Sequence, residues 1–220
     1  MAEISTSILS VDKEKAVSTF YNLEVAGTNY FHIDVMDGKF VENNTKDFML
    51  ESATTLSHIT TLGIDVHLMV ENIEEFVDEY LVKTNPDIIT FHIEASKTKE
   101  RTMNIINEIK ENGVKVGIAI NPETSIDEIK DYLKYIHMVL VMTVVPGKGG
   151  QELIPQTINK IAELKKYIYE NDIDINIEAD GGINDKNVKE VIEAGTDIIV
   201  SGSYIVSSDN MKERINKLKL

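Results

Sequence analysis

The feature that most constrains the fold of this 220-residue chain is an eightfold alternation of short β-branched runs with longer segments of helical period. The expected strands span residues 4–9, 30–35, 64–69, 88–91, 115–120, 138–143, 173–178 and 197–201. The expected helices span residues 12–26, 47–58, 73–83, 98–111, 125–134, 155–170, 184–193 and 208–218. This succession of βα units predicts one catalytic domain over residues 1–220, an α/β protein with a (β/α)8 TIM-barrel fold; a doubly wound open sheet is the alternative.

The composition excludes several classes of partner and chemistry. Acidic residues outnumber basic ones by 37 to 22, and the net charge of -15 argues against nucleic acid or an anionic membrane as a partner. Every apolar run is too short to span a bilayer, and the N-terminal residues lack the pattern of a signal peptide. The absence of cysteine excludes disulfides and thiolate chemistry. We therefore expect a cytoplasmic protein.

Residues 30–38 place two metal-capable side chains at the end of one expected strand. Residues i and i+2 share a face of a strand, so His32 and Asp34 point the same way. Asp37-Gly38 supplies the turn that ends the strand. An isolated pair of this kind usually lies on the solvated side of a half-buried strand, so the pair alone does not indicate a site.

The same pattern recurs at two further strand ends. His67 lies near the end of the 64–69 run, and Asp180 follows the 173–178 run. In a barrel, the carboxyl ends of all strands meet at one rim, where catalytic residues lie. Two imidazoles and two carboxylates suit one divalent ion such as Zn, Fe(II), Mn or Co.

The other histidines are interpreted differently. His58 and His137 lie within a helix or just before a strand, away from the catalytic rim, so we interpret them as structural or solvated. His92 follows the 88–91 strand. It is either a partner of a metal ligand or a polar residue satisfied near the rim.

Three glycine-rich junctions follow the last three expected strands. They contain Gly147, Gly149 and Gly150, then Gly181 and Gly182, then Gly202 with Ser203. Phosphate sites in this class of barrel form at these loops, where unhindered backbone N–H groups meet the anion. The junctions predict a phosphorylated ligand, and Lys148 is interpreted as solvated rather than as a direct phosphate contact.

Taken together, these motifs resemble the ribulose-phosphate 3-epimerase family, which has relatives such as allulose-6-phosphate 3-epimerase. The matching stretches run in order along the whole chain, at residues 7–10, 32–38, 65–70, 91–94, 142–151, 180–183 and 202–203. The resemblance implies an isomerase that converts D-ribulose 5-phosphate to D-xylulose 5-phosphate through an enediolate.

The resemblance also implies the roles of individual residues. One divalent metal ion would be held by His32, Asp34, His67 and Asp180, and the two aspartates would also be the acid/base catalysts. The implied substrate contacts are Ser7, His32, His67, Met36, Met69, Met142 and the glycine and serine residues of the three junctions. A phosphorylated ketose is the expected partner, and we expect a homo-oligomer.

The chain departs from the family pattern at a few positions, which are Thr6, Glu42, Asp47, Val145, Lys148 and Ala179. None is an implied ligand or catalyst. Several border the sugar, so the choice between a pentulose and a hexulose phosphate stays open at this point.

Two other functions stay open as alternatives. The first is another phosphate-binding barrel, such as a tryptophan-pathway isomerase, an indole synthase or a sugar-phosphate decarboxylase. These enzymes lack the set of two histidines and two aspartates, and a decarboxylase would need a lysine beside the aspartates, for which Lys39 is the nearby candidate. The second is a non-catalytic phosphosugar-binding barrel, against which the intact Asp34 and Asp180 argue.

Overall fold

Eight parallel strands close into a barrel in the computed structural model, which describes residues 2–219. The strands are β1 (Glu3–Ser7), β2 (Tyr30–Met36), β3 (Gly63–Met69), β4 (Ile88–His92), β5 (Lys115–Ile120), β6 (Met138–Met142), β7 (Asn176–Asp180) and β8 (Ile198–Val200). Each strand pairs in parallel with the next, and β8 pairs with β1. The predicted TIM barrel is confirmed and the open sheet is excluded. The ends of the predicted domain, Met1 and Leu220, lie outside the described residues.

Helices follow the strands around the outside of the barrel. They are α1 (Ala16–Ala26), α2 (Lys46–Ile59), α3 (Ile73–Lys83), α4 (Ile93–Ser96), α5 (Lys99–Glu111), α6 (Gln156–Glu170), α7 (Val188–Glu193), α8 (Ser203–Val206) and α9 (Met211–Leu218). Local signals fix several boundaries. The Thr98 hydroxyl accepts the Arg101 N–H at the start of α5, and Gly27, with φ of 96°, ends α1 in the left-handed conformation.

The predicted helix over 125–134 is wrong. The segment forms two short 3₁₀ turns, Ile126–Glu128 and Leu133–Tyr135. Its buried apolar residues Ile126, Ile129 and Tyr132 recur every three residues, which matches the three residues per turn of a 3₁₀ helix. These apolar residues are buried, as in the predicted helix, but the backbone that carries them is not α-helical.

Strand β7 lies further along the chain than predicted. It begins at Asn176 rather than Ile173 and extends through Asp180. Asp180 is held in the sheet by pairing with Met142 of β6 and Val200 of β8. Its side chain is therefore fixed by a strand backbone instead of by a loop.

Alternation along β2 and β3 separates an outer apolar face from a polar face in the barrel interior. In β2, Phe31, Ile33 and Val35 are fully buried in the main hydrophobic core. His32 and Asp34 lie on the other face, in register with Asp65 and His67 of β3. The polar interior groups thus lie toward the carboxyl ends of the strands.

A smaller apolar cluster closes the opposite end of the barrel. Ile88, Met138 and Ile198 are the first residues of β4, β6 and β8, and they pack together with Tyr30. Along the barrel axis, a ligand can therefore approach only from the carboxyl ends of the strands. Within residues 2–219, no helix is both long enough and apolar enough to cross a membrane.

Candidate active site

The four predicted metal ligands converge at the carboxyl ends of β2, β3 and β7. His32 Nε2 lies 3.5 Å from Asp34 Oδ1 and 3.8 Å from Asp180 Oδ2. His67 Nδ1 lies 3.5 Å and 3.7 Å from the same two oxygens. The two ring nitrogens are 3.4 Å apart. Four side chains distant in sequence therefore present one atom each to a common point.

The spacing of these atoms fits a small divalent cation. Four tetrahedral ligands at zinc-like bond lengths would lie about 3.4 Å from one another. Five of the six separations in this set lie between 3.4 and 3.8 Å. Two imidazoles and two carboxylates also match the donor types that divalent transition metals accept. The residues thus fit the ion that the sequence predicted.

The same convergence perturbs the acidity of the two aspartates in opposite directions. Burial raises the pKa of Asp180 to about 7, and the negative charge of Asp34 adds to the effect. Burial would also raise the pKa of Asp34, but His32 and His67 outweigh it and hold that pKa well below its usual value. The two carboxyls therefore differ in acidity although they face the same point.

His32 is oriented from below by Asp65, a residue that our sequence reasoning missed. Asp65 is buried in β3, and its Oδ2 lies 2.6 Å from His32 Nδ1 and accepts the Ser5 hydroxyl at 2.9 Å. When neutral His32 donates its one ring proton from Nδ1 to this carboxylate, its Nε2 lone pair is directed at the ligand point. Burial opposes a charge on His32, but Asp65 and Asp34 raise its pKa above the ordinary value.

Glu178, also missed, lies in the barrel interior beside Asp65 and His32. It is fully buried, and burial together with the charge of Asp65 raises its pKa well above the usual range. Glu178 precedes Asp180 by two residues, as Asp65 precedes His67. The i, i+2 rule that pointed to His32 and Asp34 could therefore have identified both carboxyls.

His92 contacts a proposed metal ligand directly, which supports the first of its two interpretations. Its Nε2 lies 2.9 Å from His67 Nε2, and its Nδ1 lies 3.2 Å from Glu94 Oε2. Glu94 was also missed. Burial would raise the pKa of Glu94, but hydrogen bonds from His92, Thr124 and the Asn121 backbone outweigh it and hold the pKa at about 2.

Ser7 lies at the end of β1, beside one of the proposed catalysts. Its hydroxyl donates to Asp34 Oδ2 at 2.6 Å, so the two oxygens of this carboxylate have different neighbours. The Thr45 hydroxyl donates to the Asp34 carbonyl oxygen at 2.6 Å and accepts the Met36 N–H at 2.9 Å. Hydrogen bonds therefore fix both the Asp34 side chain and the backbone at the end of β2.

A cleft opens directly above the ligand point. It is lined by the predicted residues Ser7, Asp34, Met36, Met69, Met142, Gly147, Gly149, Gly150, Asp180, Gly181, Gly182, Gly202 and Ser203. His32 and His67 are fully buried beneath its floor. The carboxylates, the methionines and the glycine junctions therefore face one space.

Gly202 shows why a side chain is excluded at one of these junctions. A Cβ at this position would lie 3.0 Å from Ser7 Cβ and 3.1 Å from both Ser7 Oγ and the Ser7 carbonyl oxygen. Any larger residue would press on the serine that hydrogen-bonds Asp34. Gly202 therefore keeps the cleft open and leaves room for Ser7.

The loops after β2 and β6 meet over the mouth of the cleft. Asn43 Nδ2 donates to the Gly147 carbonyl oxygen at 2.7 Å, and Lys148 Nζ lies 3.5 Å from Glu42 Oε2. The Lys148 side chain is 66% exposed, as the solvated interpretation requires. Lys39 is also exposed and is not among the residues that line the cleft with Asp34 and Asp180, which argues against the decarboxylase alternative.

The two remaining histidines lie away from the cleft. His58 is exposed on the last turn of α2. His137 precedes β6, at the other end of the barrel, where its Nδ1 accepts the Val116 N–H at 3.1 Å. Both positions agree with the structural or solvated interpretation.

Two solved structures with a similar fold have little sequence identity to this chain. The 3-hexulose-6-phosphate synthase from Salmonella typhimurium has a TM-score of 0.71 at 13% identity, covering 98% of this chain and 96% of that one. The 3-keto-L-gulonate-6-phosphate decarboxylase from Vibrio cholerae has a TM-score of 0.72 at 11% identity, covering 99% and 95%. These comparisons support the fold alone.

Sequence comparison is far more specific. The profile of the Ribulose-phosphate 3 epimerase family matches residues 3–206. The ribulose-phosphate 3-epimerase of Methanocaldococcus jannaschii is 42% identical over 219 residues, covering 100% of this chain and 90% of that protein. The enzyme of the same name from Escherichia coli K12 is 37% identical over 216 residues, covering 98% and 94%. The chain therefore belongs to the ribulose-phosphate 3-epimerase family.

Proposed function

We propose that residues 1–220 form one catalytic domain, an isomerase that inverts C3 of D-ribulose 5-phosphate to give D-xylulose 5-phosphate. The observation that carries this proposal is the convergence of His32, Asp34, His67 and Asp180 at the floor of a cleft rimmed by glycines. Full-length relatives named ribulose-phosphate 3-epimerase support it. A role in pentose phosphate metabolism follows from this activity.

We propose that these four side chains hold one divalent metal ion, with Zn, Fe(II), Mn and Co as candidates. When bound, the ion supplies positive charge that stabilises the negative charge developing on the substrate oxygens near C3. Asp65 and His92 support the assignment because each contacts the far nitrogen of one histidine ligand.

Asp34 and Asp180 are the proposed proton-transfer groups. Inversion at C3 needs a base to remove the proton on one face of the carbon and an acid to return a proton on the other. Asp34 and Asp180 line the cleft from two different strands, β2 and β7, and this placement of two carboxyls supports such a division of roles. The roles exchange when the reaction runs in reverse, and removal of the proton gives an enediolate.

The remaining cleft residues bind and enclose the substrate. Ser7, hydrogen-bonded to Asp34, is placed to contact the sugar near C3. Met36, Met69 and Met142 contribute apolar surface that keeps water from the enediolate. The glycine junctions after β6, β7 and β8 let backbone N–H groups approach the phosphate, so its binding orients C3 between the two aspartates.

The substrate assignment is tested by comparing kcat/KM for ribulose 5-phosphate and allulose 6-phosphate on the purified enzyme. We expect ribulose 5-phosphate to be preferred, and the opposite preference would identify an allulose-6-phosphate 3-epimerase. Failure to turn over either sugar, together with no stoichiometric transition metal, would identify a non-catalytic phosphosugar-binding barrel.

We further propose that the protein acts in the cytoplasm. A homo-oligomer stays a prediction. Sedimentation equilibrium on the full-length chain tests it, and a single species of about 25 kDa would contradict it.

A further inference from the structure

A chain of hydrogen bonds leads away from the proposed metal site to a carboxylate that the proposed reaction does not use. It runs from His67 through His92 to Glu94, with the two ring nitrogens of the histidine pair 2.9 Å apart. The planes of the two imidazoles are inclined to each other by 23°, and the ring centroids are 5.0 Å apart. Both histidines are fully buried, so neither ring contacts bulk solvent.

The far end of this chain determines where each proton sits. Glu94 Oε1 accepts the Asn121 N–H at 2.8 Å and the Thr124 hydroxyl, and Oε2 faces His92 Nδ1. A carboxylate can only accept hydrogen bonds, so a neutral His92 must carry its proton on Nδ1. Its Nε2 then has a lone pair, and the facing Nε2 of His67 must donate.

We infer that Glu94 and His92 are positioning residues that hold the proton of His67 on Nε2 and so leave its Nδ1 lone pair free for the metal. The inference rests on the proposed metal site. The surroundings of His67 match those of His32, whose Nδ1 faces Asp65 and whose Nε2 faces the ligand point. Each histidine ligand thus has its own carboxylate, directly for His32 and through a second imidazole for His67.

Two neighbouring groups hold this hydrogen-bonded relay of His67, His92 and Glu94 in place. The Phe40 ring packs on His92, with ring centroids 4.9 Å apart. Lys160 Nζ donates to the carbonyl oxygens of Asn121 and Pro122 at 2.8 and 2.7 Å, which fixes the loop that carries the donors to Glu94. The orientation of the Glu94 carboxylate is therefore determined by residues that do not belong to the metal site.

The native protein can be tested directly by measuring the histidine tautomers. Long-range ¹H–¹⁵N correlation spectra of the zinc-loaded, full-length protein should place the His92 proton on Nδ1 and the His67 proton on Nε2. A His92 proton on Nε2 would overturn the inference, because that nitrogen could not then accept from His67. This measurement needs no substitution, so it holds even if the variants fail to fold.

Glu94→Gln tests the consequence for the metal. Asn121 and Thr124 both require an acceptor at the Oε1 position, so the new amide should direct its NH₂ group at His92 Nδ1. The His92 proton then moves to Nε2, and the His67 proton is displaced to the nitrogen that faces the metal. Chelator competition should show zinc affinity about 10- to 100-fold weaker than in the native protein.

Two control variants separate this effect from general destabilisation. Glu74→Gln removes a carboxylate that pairs with Arg101 at 2.7 Å outside the barrel, and Thr124→Val removes one donor to Glu94 while keeping the carboxylate. Both should retain native zinc affinity. Native affinity in Glu94→Gln, or an equal loss in Thr124→Val, would overturn the relay. Neither readout uses turnover, so a native protein with the expected tautomers but no activity would refute the proposed function alone.

Discussion

The Nε2 atom of His32 and the Nδ1 atom of His67 lie 3.4 Å apart, and each lies within 3.8 Å of carboxylate oxygens from both Asp34 and Asp180. Asp65 and His92 occupy the far nitrogens of the two rings. Both near nitrogens can therefore present lone pairs to a point that two carboxylates also face. Four converging acceptors in a buried site require a cation, either protons or a metal ion.

The histidine ligands can be distinguished from the other histidines by substitution. His32→Ala and His67→Ala should each lower bound metal together with activity, because each removes one of four converging donors. His137→Ala should change neither, since its imidazole accepts a backbone N–H at the opposite end of the barrel. Metal analysis by mass spectrometry checks this, and equal metal loss in all three variants would mean that the ligands are wrongly assigned.

Metal binding should release protons near neutral pH. In the metal-free protein, burial and the charge of Asp34 raise the pKa of Asp180 to about 7, and His32 also has a raised pKa. Below these pKa values both groups are protonated, and both must lose protons to become ligands. Metal affinity should therefore fall as the pH falls below about 7, by up to tenfold per pH unit for each proton released.

Calorimetric titration in buffers of different ionisation enthalpy measures that release. Asp180→Asn should release fewer protons than the native protein at pH 6.5, because the amide has no proton to lose in this range. An affinity that is independent of pH between 6 and 8 would show that the ligands are already deprotonated in the metal-free protein.

Asp34→Asn and Asp180→Asn should each abolish turnover while the fold is retained. Each change is nearly isosteric but removes a proton-transfer group, which alone costs on the order of 10²–10⁴ in kcat. Steady-state kinetics measures the loss, and circular dichroism with thermal unfolding checks the fold. Near-native activity in either variant would exclude the mechanism with two carboxylates.

Gly150 and Gly113 form a matched pair for testing phosphate binding. Both have positive φ, 72° and 78°, and an added Cβ would meet no atom within 4 Å at either position. Alanine should therefore destabilise the protein by about 1 kcal/mol at each. Only Gly150 lines the cleft. Gly150→Ala should raise KM for the phosphorylated ketose about tenfold. The added Cβ would keep the phosphate from a backbone N–H in the cleft, and the loss corresponds to one charge-assisted hydrogen bond. An equal change in KM in Gly113→Ala would leave the phosphate assignment unsupported.

Much of the fold and the four proposed ligands could be predicted from sequence periodicity. Strand alternation placed His32 and Asp34 on one face, and the parallel βα order brought their strand next to that of His67. The helix predicted over 125–134 failed because apolar spacings of three and of 3.6 residues are hard to distinguish over ten residues.

The network around the ligands could not be derived in the same way. The role of His92 depends on which ring nitrogen faces His67. The state of Glu94 depends on donors in the loop after β5, 27 and 30 residues further along the chain. These contacts depend on the conformation of loops, and the spacing of residues in the sequence predicts little about loop conformation. Gly202 is similar, since its close contact with Ser7 forms beyond the paired ends of β8 and β1 and depends on the local path of the backbone.

The central claim is that two carboxylates invert C3 of ribulose 5-phosphate by exchanging its proton. The most direct test follows the native enzyme with ribulose 5-phosphate in D₂O by ¹H NMR. We predict formation of xylulose 5-phosphate with deuterium at C3, because the acid that returns the proton has exchanged with solvent. No conversion, or an epimer that keeps the original C3 proton, would contradict the account.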